Sequence, residues 1–234
     1  MKLKTILFLF FFSISHFYLS AQFGKGVYFL GGDLNVQTFS TESTFNLVFS
    51  GGFEPITSEN KSTSVDISPN IGFFVSSNLA IGTGFNYIYT ATEAIFSQST
   101  VINIESSETN SSQYIISPFV RYYTPFHEKA GFAFDLSFQY GFGKEENKTA
   151  NTTPVSIDIN RLGMNVTPTF YYFFTSKFAL EVNVGGLSYF QIKREADDPL
   201  ASINRPLEEN AFRLTFGSSF SVGVRLYLGN LSSD

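Results

Sequence analysis

FRLTFGSSFSVGVRLYLG, Phe212 to Gly229, alternates apolar and polar residues almost to the end of the chain. Phe212, Leu214, Phe216, Phe220, Val222, Val224, Leu226 and Leu228 share one parity. Arg213, Thr215, Gly217, Ser219, Ser221, Gly223, Arg225 and Gly229 share the other. A period of two over this length describes a long β-strand with one apolar and one polar face. Upstream, Phe178, Leu180, Val182 and Val184 alternate with Glu181, Asn183 and Gly185, and Phe132, Phe134, Leu136, Phe138, Tyr140 and Phe142 alternate with Ala133, Asp135, Ser137, Gln139, Gly141 and Gly143.

Working outward, Ser68-Pro69, Ser117-Pro118 and Thr167-Pro168 recur 49 and 50 residues apart, each followed by an aromatic-rich stretch, a polar turn and a second alternating segment. The repeating unit reads as a β-hairpin. A fourth copy keeps the spacing at Ser218 and lacks the proline. Four hairpins give eight strands, assigned near residues 26–39, 63–75, 79–91, 112–124, 130–143, 159–174, 178–193 and 210–229. Proline cannot donate to a ladder, so each of the three should mark a bulge or a broken bond.

Alternation alone does not say which face meets a core. Three features favour an apolar exterior and a polar lumen. The polar parity is rich in Gly, Ser, Thr and Asn, which suits a narrow interior. Short connections (76–78, 124–130, 175–177) alternate with long polar ones (41–62, 91–112, 144–156, 194–210). Outward Tyr114 and Tyr122 are eight residues apart, about 20 Å along the membrane normal at a tilt of about 40°, as two interfacial girdles would be. Tyr87, Tyr89 and Tyr140 would join the outer girdle and Tyr172 the inner one.

Lys2 and Lys4 precede the apolar run Ile6–Phe12, and Leu19-Ser20-Ala21 leads into Gln22, the layout of a secretory signal peptide cut after Ala21. Residues 1–21 are therefore assigned as signal peptide and 22–234 as one barrel domain. Without the signal, 13 basic residues face 20 acidic ones, a net charge of −7. That argues against nucleic acid as a partner. The chain has no cysteine, so neither disulfides nor an N-terminal lipid can hold it. Phe occurs 29 times, far more than a water-soluble sandwich needs and in keeping with a lipid-facing exterior. The fold class assigned is all-β, an eight-stranded antiparallel transmembrane β-barrel.

SPFVRYY at Ser117–Tyr123, the repeated hairpin and the terminal Val224-Arg225-Leu226-Tyr227-Leu228 resemble the small eight-stranded outer-membrane β-barrels of the OmpA and OmpX type, in their Bacteroidetes versions. The resemblance spans about Gly24 to Gly229 and is specific for architecture. It implies a Gram-negative outer-membrane location with both termini in the periplasm. It also implies contact with outer-membrane lipid and lipopolysaccharide, and roles in secretion, adhesion or envelope stability. One departure is Leu231–Asp234, which trails past the last strand.

Lumen-parity charges are Asp33, Asp66, Arg121, Asp135, Arg161, Glu181, Lys193, Arg213 and Arg225. Folding neighbouring strands about their connections sets Arg121 opposite Asp135 and Glu181 opposite Arg225, so that the lumen charges pair. The only histidine after the signal, His127, falls in a short turn, remote from where an outer-leaflet hydrolase needs its base. Glu145-Glu146, Asp197-Asp198 and Glu208-Glu209 read as solvated loop acids. No catalytic residue, cofactor or metal site is assigned.

The first long loop is unlike the others, because Phe45, Leu47, Phe49 and Phe53 are too apolar for a solvated tip and Gly51-Gly52 supplies a turn. It should pack on the barrel mouth or continue its two strands, and it offers a sheet edge to a partner protein. The sequence thus points to a monomeric, non-enzymatic barrel with a structural or extracellular binding role, serving a secretion or adhesion system. A narrow porin-like channel is the alternative, and a lipid-modifying enzyme a third.

Overall fold

The alternation closes on itself. In the computed structural model, which describes residues 23–49, 52–96, 106–149, 153–196 and 207–229, eight antiparallel strands form one closed barrel in sequence order. They are β1 (Tyr28–Phe49), β2 (Gly52–Phe74), β3 (Leu79–Phe96), β4 (Ser107–His127), β5 (Ala130–Thr149), β6 (Val155–Phe173), β7 (Phe178–Ala196) and β8 (Leu207–Leu228). Residues 1–22, which carry the signal assignment, lie outside the described residues, as do Asp197 and Asp198.

Each strand shows its apolar parity to the outside. Tyr28, Leu34, Val36, Phe134, Phe138, Leu162, Val222 and Val224 are all exposed, while Phe29, Ala133, Thr169 and Tyr171 on the opposite parity are fully buried. The barrel is thus inverted relative to a water-soluble one, apolar without and polar within. Aromatic residues ring both ends of the apolar band. On the side of the long hairpins, Tyr87, Phe85 and Phe142 cluster around Tyr114, with ring centroids 5.1, 6.2 and 5.8 Å away. On the side of the short turns, Phe126, Phe132 and Phe170 form a triad and Tyr172 meets Phe174.

The strands run farther than alternation indicates, chiefly on the long-hairpin side. Residues 41–49 and 52–62, read as part of a loop, are ladder, from Thr41↔Asn60 to Phe49↔Gly52. Their Ser, Thr and Asn side chains carry no amphipathic signal, yet they bond across the strands, as in Thr44 to Thr57 and Ser62 to Thr92.

The prolines do interrupt the ladder, each on one side only. Pro69 still sits opposite Gly32 on β1, but β2–β3 pairing skips from Ile67↔Tyr87 to Asn70↔Gly84. Pro118 and Pro168 repeat this toward β5 and β7. At the fourth copy the ladder to the following strand never resumes. β8 pairs with β1 over only six residues, Tyr28↔Leu228 to Asp33↔Gly223, whereas β1 and β2 pair over 22.

A second irregularity corrects a parity assignment. Between Asn183 and Gly185 the β7 register shifts against β8, and Gly185 adopts φ 104°, open chiefly to glycine. Beyond that bulge the inward parity of β7 switches, so Phe190 and Ile192 point inward and are buried. Lys193, assigned to the lumen, lies on the outer parity and pairs with Glu208 at 2.9 Å.

Candidate functional site

The lumen divides into two layers. At the short-turn end, Phe29, Phe74, Tyr123, Tyr171, Phe173 and Tyr227 project inward from five strands and form one buried cluster with Phe23. Phe23 belongs to no strand. Its ring stacks on Phe74 at 4.4 Å and meets Tyr123 at 4.6 Å and Tyr227 at 5.5 Å. The segment carrying it is tied to the barrel rim by Gly26 N donating to Phe74 O (2.9 Å) and Phe74 N donating to Val27 O (2.9 Å). This plug makes room for its rings with small residues in the wall. A side chain at Gly72 would strike Phe29, and one at Gly131 would strike Tyr171.

Directly above the plug lies the ion cluster. Arg121 clasps Asp135 with Nε and Nη2, both 2.6 Å from carboxylate oxygens. Arg225 clasps Glu181 through Nε (2.7 Å) and Nη2 (2.8 Å). The two pairs are one network, because Arg121 Nη1 also donates to both oxygens of Glu181, at 2.9 and 3.0 Å. Glu181 therefore serves two guanidinium groups, Arg225 from the neighbouring strand and Arg121 from across the lumen. Remaining donors are used as well: Arg225 Nη1 bonds Asn70 Oδ1 at 3.0 Å, and Arg225 lies 4.4 Å from the Phe29 ring centroid. Arg121, Glu181 and Arg225 are all under 6% exposed, so this is a dry, bidentate, nearly saturated network.

Toward the long hairpins the lumen opens into a cup of about 580 Å³ lined largely by Asn, Gln, Ser and Asp, among them Asn35, Asn86, Gln139 and Asn165. Many of its polar groups bond their neighbours on the same sheet. Ser68 donates to Asp66 (2.6 Å), Asn86 to Ser68 (2.8 Å) and Asn183 to Ser221 (2.7 Å). Asp33 and Asp66 line the cup and form no ion pair among the described residues.

Above the cup, surface chemistry takes over. Glu208 and Glu209, read as free loop acids, stand on β8 and pair with Lys193 and Arg194. The Lys193 hydrogen bond to Glu208, helped by that carboxylate's charge, holds the ammonium pKa above the ordinary 10.5. Of the four apolar residues in the first hairpin, register puts Phe45 opposite Ile56 and Phe53 opposite Val48, on the other face. Phe45 and Phe53 are exposed, 42% and 72%; the side chains of Leu47 and Phe49 lie outside the described residues. His127 stands at the short-turn end of β4, where Nδ1 accepts a hydrogen bond from Lys129 N. Among the described residues no group of three or more His, Cys, Asp or Glu could hold a metal.

No family model and no curated protein matches the sequence. Among solved structures the chain is similar to the crystal structure of the outer membrane protein OprG from Pseudomonas aeruginosa, with 9% identity, 90% of this chain and 100% of that chain covered, and a TM-score of 0.50. It is also similar to the solid-state NMR structure of outer membrane protein AlkL in DMPC lipid bilayers, with 18% identity, coverage of 90% and 91%, and a TM-score of 0.34. At 9% identity the likeness to OprG is one of fold alone, and the fold it supports is the closed antiparallel ring of eight strands.

Proposed function

We propose that this chain is a monomeric, non-enzymatic barrel of the Gram-negative outer membrane, of the OmpA and OmpX type, exported with a cleaved signal peptide, that binds at its outer face and does not conduct. The blind lumen carries this reading. A path from the cup would have to cross a saturated ion network and then seven packed aromatic rings. An eight-stranded wall leaves room for little else. The apolar exterior, its two aromatic girdles and the fold likeness support the membrane location. Short turns then face the periplasm and long hairpins the outside. Lipid and lipopolysaccharide surround the wall, and the β1–β2 hairpin is the surface for a protein partner of a secretion or adhesion system.

Planar-bilayer recording tests the proposal. The wild-type barrel should insert without steady ohmic current. A porin-like conductance would replace the binding reading with the channel one.

A further inference from the structure

Five arginines stand on the inward parity among the described residues; Arg194, at the rim, pairs with Glu209, and the other four are treated in two ways. Arg121 and Arg225 are neutralised by Asp135 and Glu181. Arg161 on β6 and Arg213 on β8 have no carboxylate within ion-pairing distance among the described residues. Both lie against one ring, Phe190 on β7, with guanidinium carbons 4.9 and 5.4 Å from its centroid. The register explains the convergence. Phe190 is opposite Gly163 and Ala211, and each arginine stands two residues from those positions on the same face.

Two like charges at one ring repel each other, and the surroundings sharpen the effect. Phe190 belongs to a buried apolar cluster with Ile159 and Ile192, packed against Ala211. Arg161 Nε is buried with no hydrogen-bond partner. Elsewhere in this lumen a buried guanidinium nitrogen has an acceptor, so the orphan marks a position where an acceptor is missing. Phosphate oxygens match guanidinium forks bidentately, and a phosphate monoester carries close to two negative charges at neutral pH.

We propose that Arg161 and Arg213, held against Phe190 at the mouth of the cup, bind the phosphate group of a hydroxyl-rich solute such as a sugar phosphate. The phosphate sits between the arginines. Hydroxyls reach down to Asp66, Asp33 and the Asn and Gln side chains, carboxylates and carboxamides being acceptors that hydroxyls can donate to. This assignment rests on the cup reading and names its ligand. The same phosphate chemistry is available from a free solute or from the phosphorylated sugars of an outer-leaflet glycolipid.

Calorimetric titration of the refolded mature barrel in uncharged micelles tests it, with glucose 6-phosphate, inorganic phosphate, glucose and purified lipopolysaccharide as probes. Glucose 6-phosphate should bind, inorganic phosphate more weakly and glucose not detectably. Arg161→Gln and Arg213→Gln should each weaken binding by roughly tenfold or more. Arg161→Lys, which keeps charge and loses the fork, should fall between. Lys193→Gln, on the outer parity of β7, should change nothing. Heat-dependent gel mobility identical to wild type shows that each variant is folded. Arginine-dependent binding of lipopolysaccharide alone would uphold the phosphate site and assign its source to lipid. Binding of glucose 6-phosphate unaffected by both arginine variants, or no binding of any phosphate probe, overturns the proposal. Conductance recorded on the same preparation separates the two readings: a conducting barrel with arginine-dependent binding retains the site and loses the blind cup.

Discussion

The two halves of the lumen use the same polar parity for opposite ends. Near the short turns, charges meet charges and rings meet rings, and Tyr171 Oη is the one described buried polar atom there without a partner. Near the long hairpins, polar side chains bond their strand neighbours and leave their outer faces to solvent. Position along the barrel accounts for the difference. A closed, narrow interior makes an unpaired charge costly and so enforces saturation, whereas an open mouth stays hydrated and permits surplus donors and acceptors. Stability is therefore concentrated at one end of the molecule and unspent hydrogen-bonding capacity at the other.

Glu181→Ala offers the strongest challenge to that contrast. It strands both Arg121 and Arg225, and unfolding by urea in lipid vesicles should show a loss of about 4 kcal/mol. A loss below about 1 kcal/mol would mean that water already enters the lower layer. Replacing Phe23 by Ala comes next, at about 3 kcal/mol, near the low end for a buried phenylalanine because its segment precedes β1 and the base can rehydrate. If Phe23→Ala leaves stability unchanged, the plug ornaments the barrel without supporting it.

Effects should be small at the other end. Deleting residues 44–55 joins Ser43 to Ile56 and leaves Ser43↔Ser58 to close a short hairpin, so the unfolding free energy should stay within about 1 kcal/mol of wild type. Partner capture should vanish with it; capture that survives the deletion moves the docking surface elsewhere. Smallest of all is the Lys193–Glu208 pair, which is solvent-exposed. Its folded-state pKa is raised, so any stability it gives is present below the ordinary lysine value of 10.5 and lost as pH rises through the higher folded value. An unfolding midpoint that responds visibly to Lys193→Met at neutral pH would show the outer ribbon to be more tightly organised than its exposure suggests.

Alternation made the strand number, the inward set on β4, β5 and β8, and the facing of Arg121 with Asp135 legible in the sequence; Glu181, expected opposite Arg225, stands opposite Gly223 and reaches Arg225 along a diagonal. Register across a hairpin needs only neighbours. The Arg121–Glu181 link spans the lumen between β4 and β7, and no count along the chain brings those residues together. Phe23 was invisible for another reason: one aromatic residue ahead of the first strand has no periodicity to reveal it. The phosphate-site ring, Phe190, was hidden by parity. Gly185-Gly186 inside an alternating segment was the available sign, since paired glycines in a strand suggest a bulge, and a bulge turns every later side chain to the other face.

The missing fourth proline also bears on how the ring is made and unmade. β1 is synthesised first and β8 last, so their ladder is the one contact that must wait for the whole chain. It is also the shortest, six residue pairs ending at Asp33↔Gly223. Three proline copies each make a gap that the wall re-closes; the fourth makes one that it leaves open. Like a hoop fastened at a single clasp, the barrel resists parting by the strength of that clasp and not by the average of its wall. Amide exchange should therefore begin along the upper edge of β1, from Leu34 onward, well before the ladders on either side of β4 begin to open.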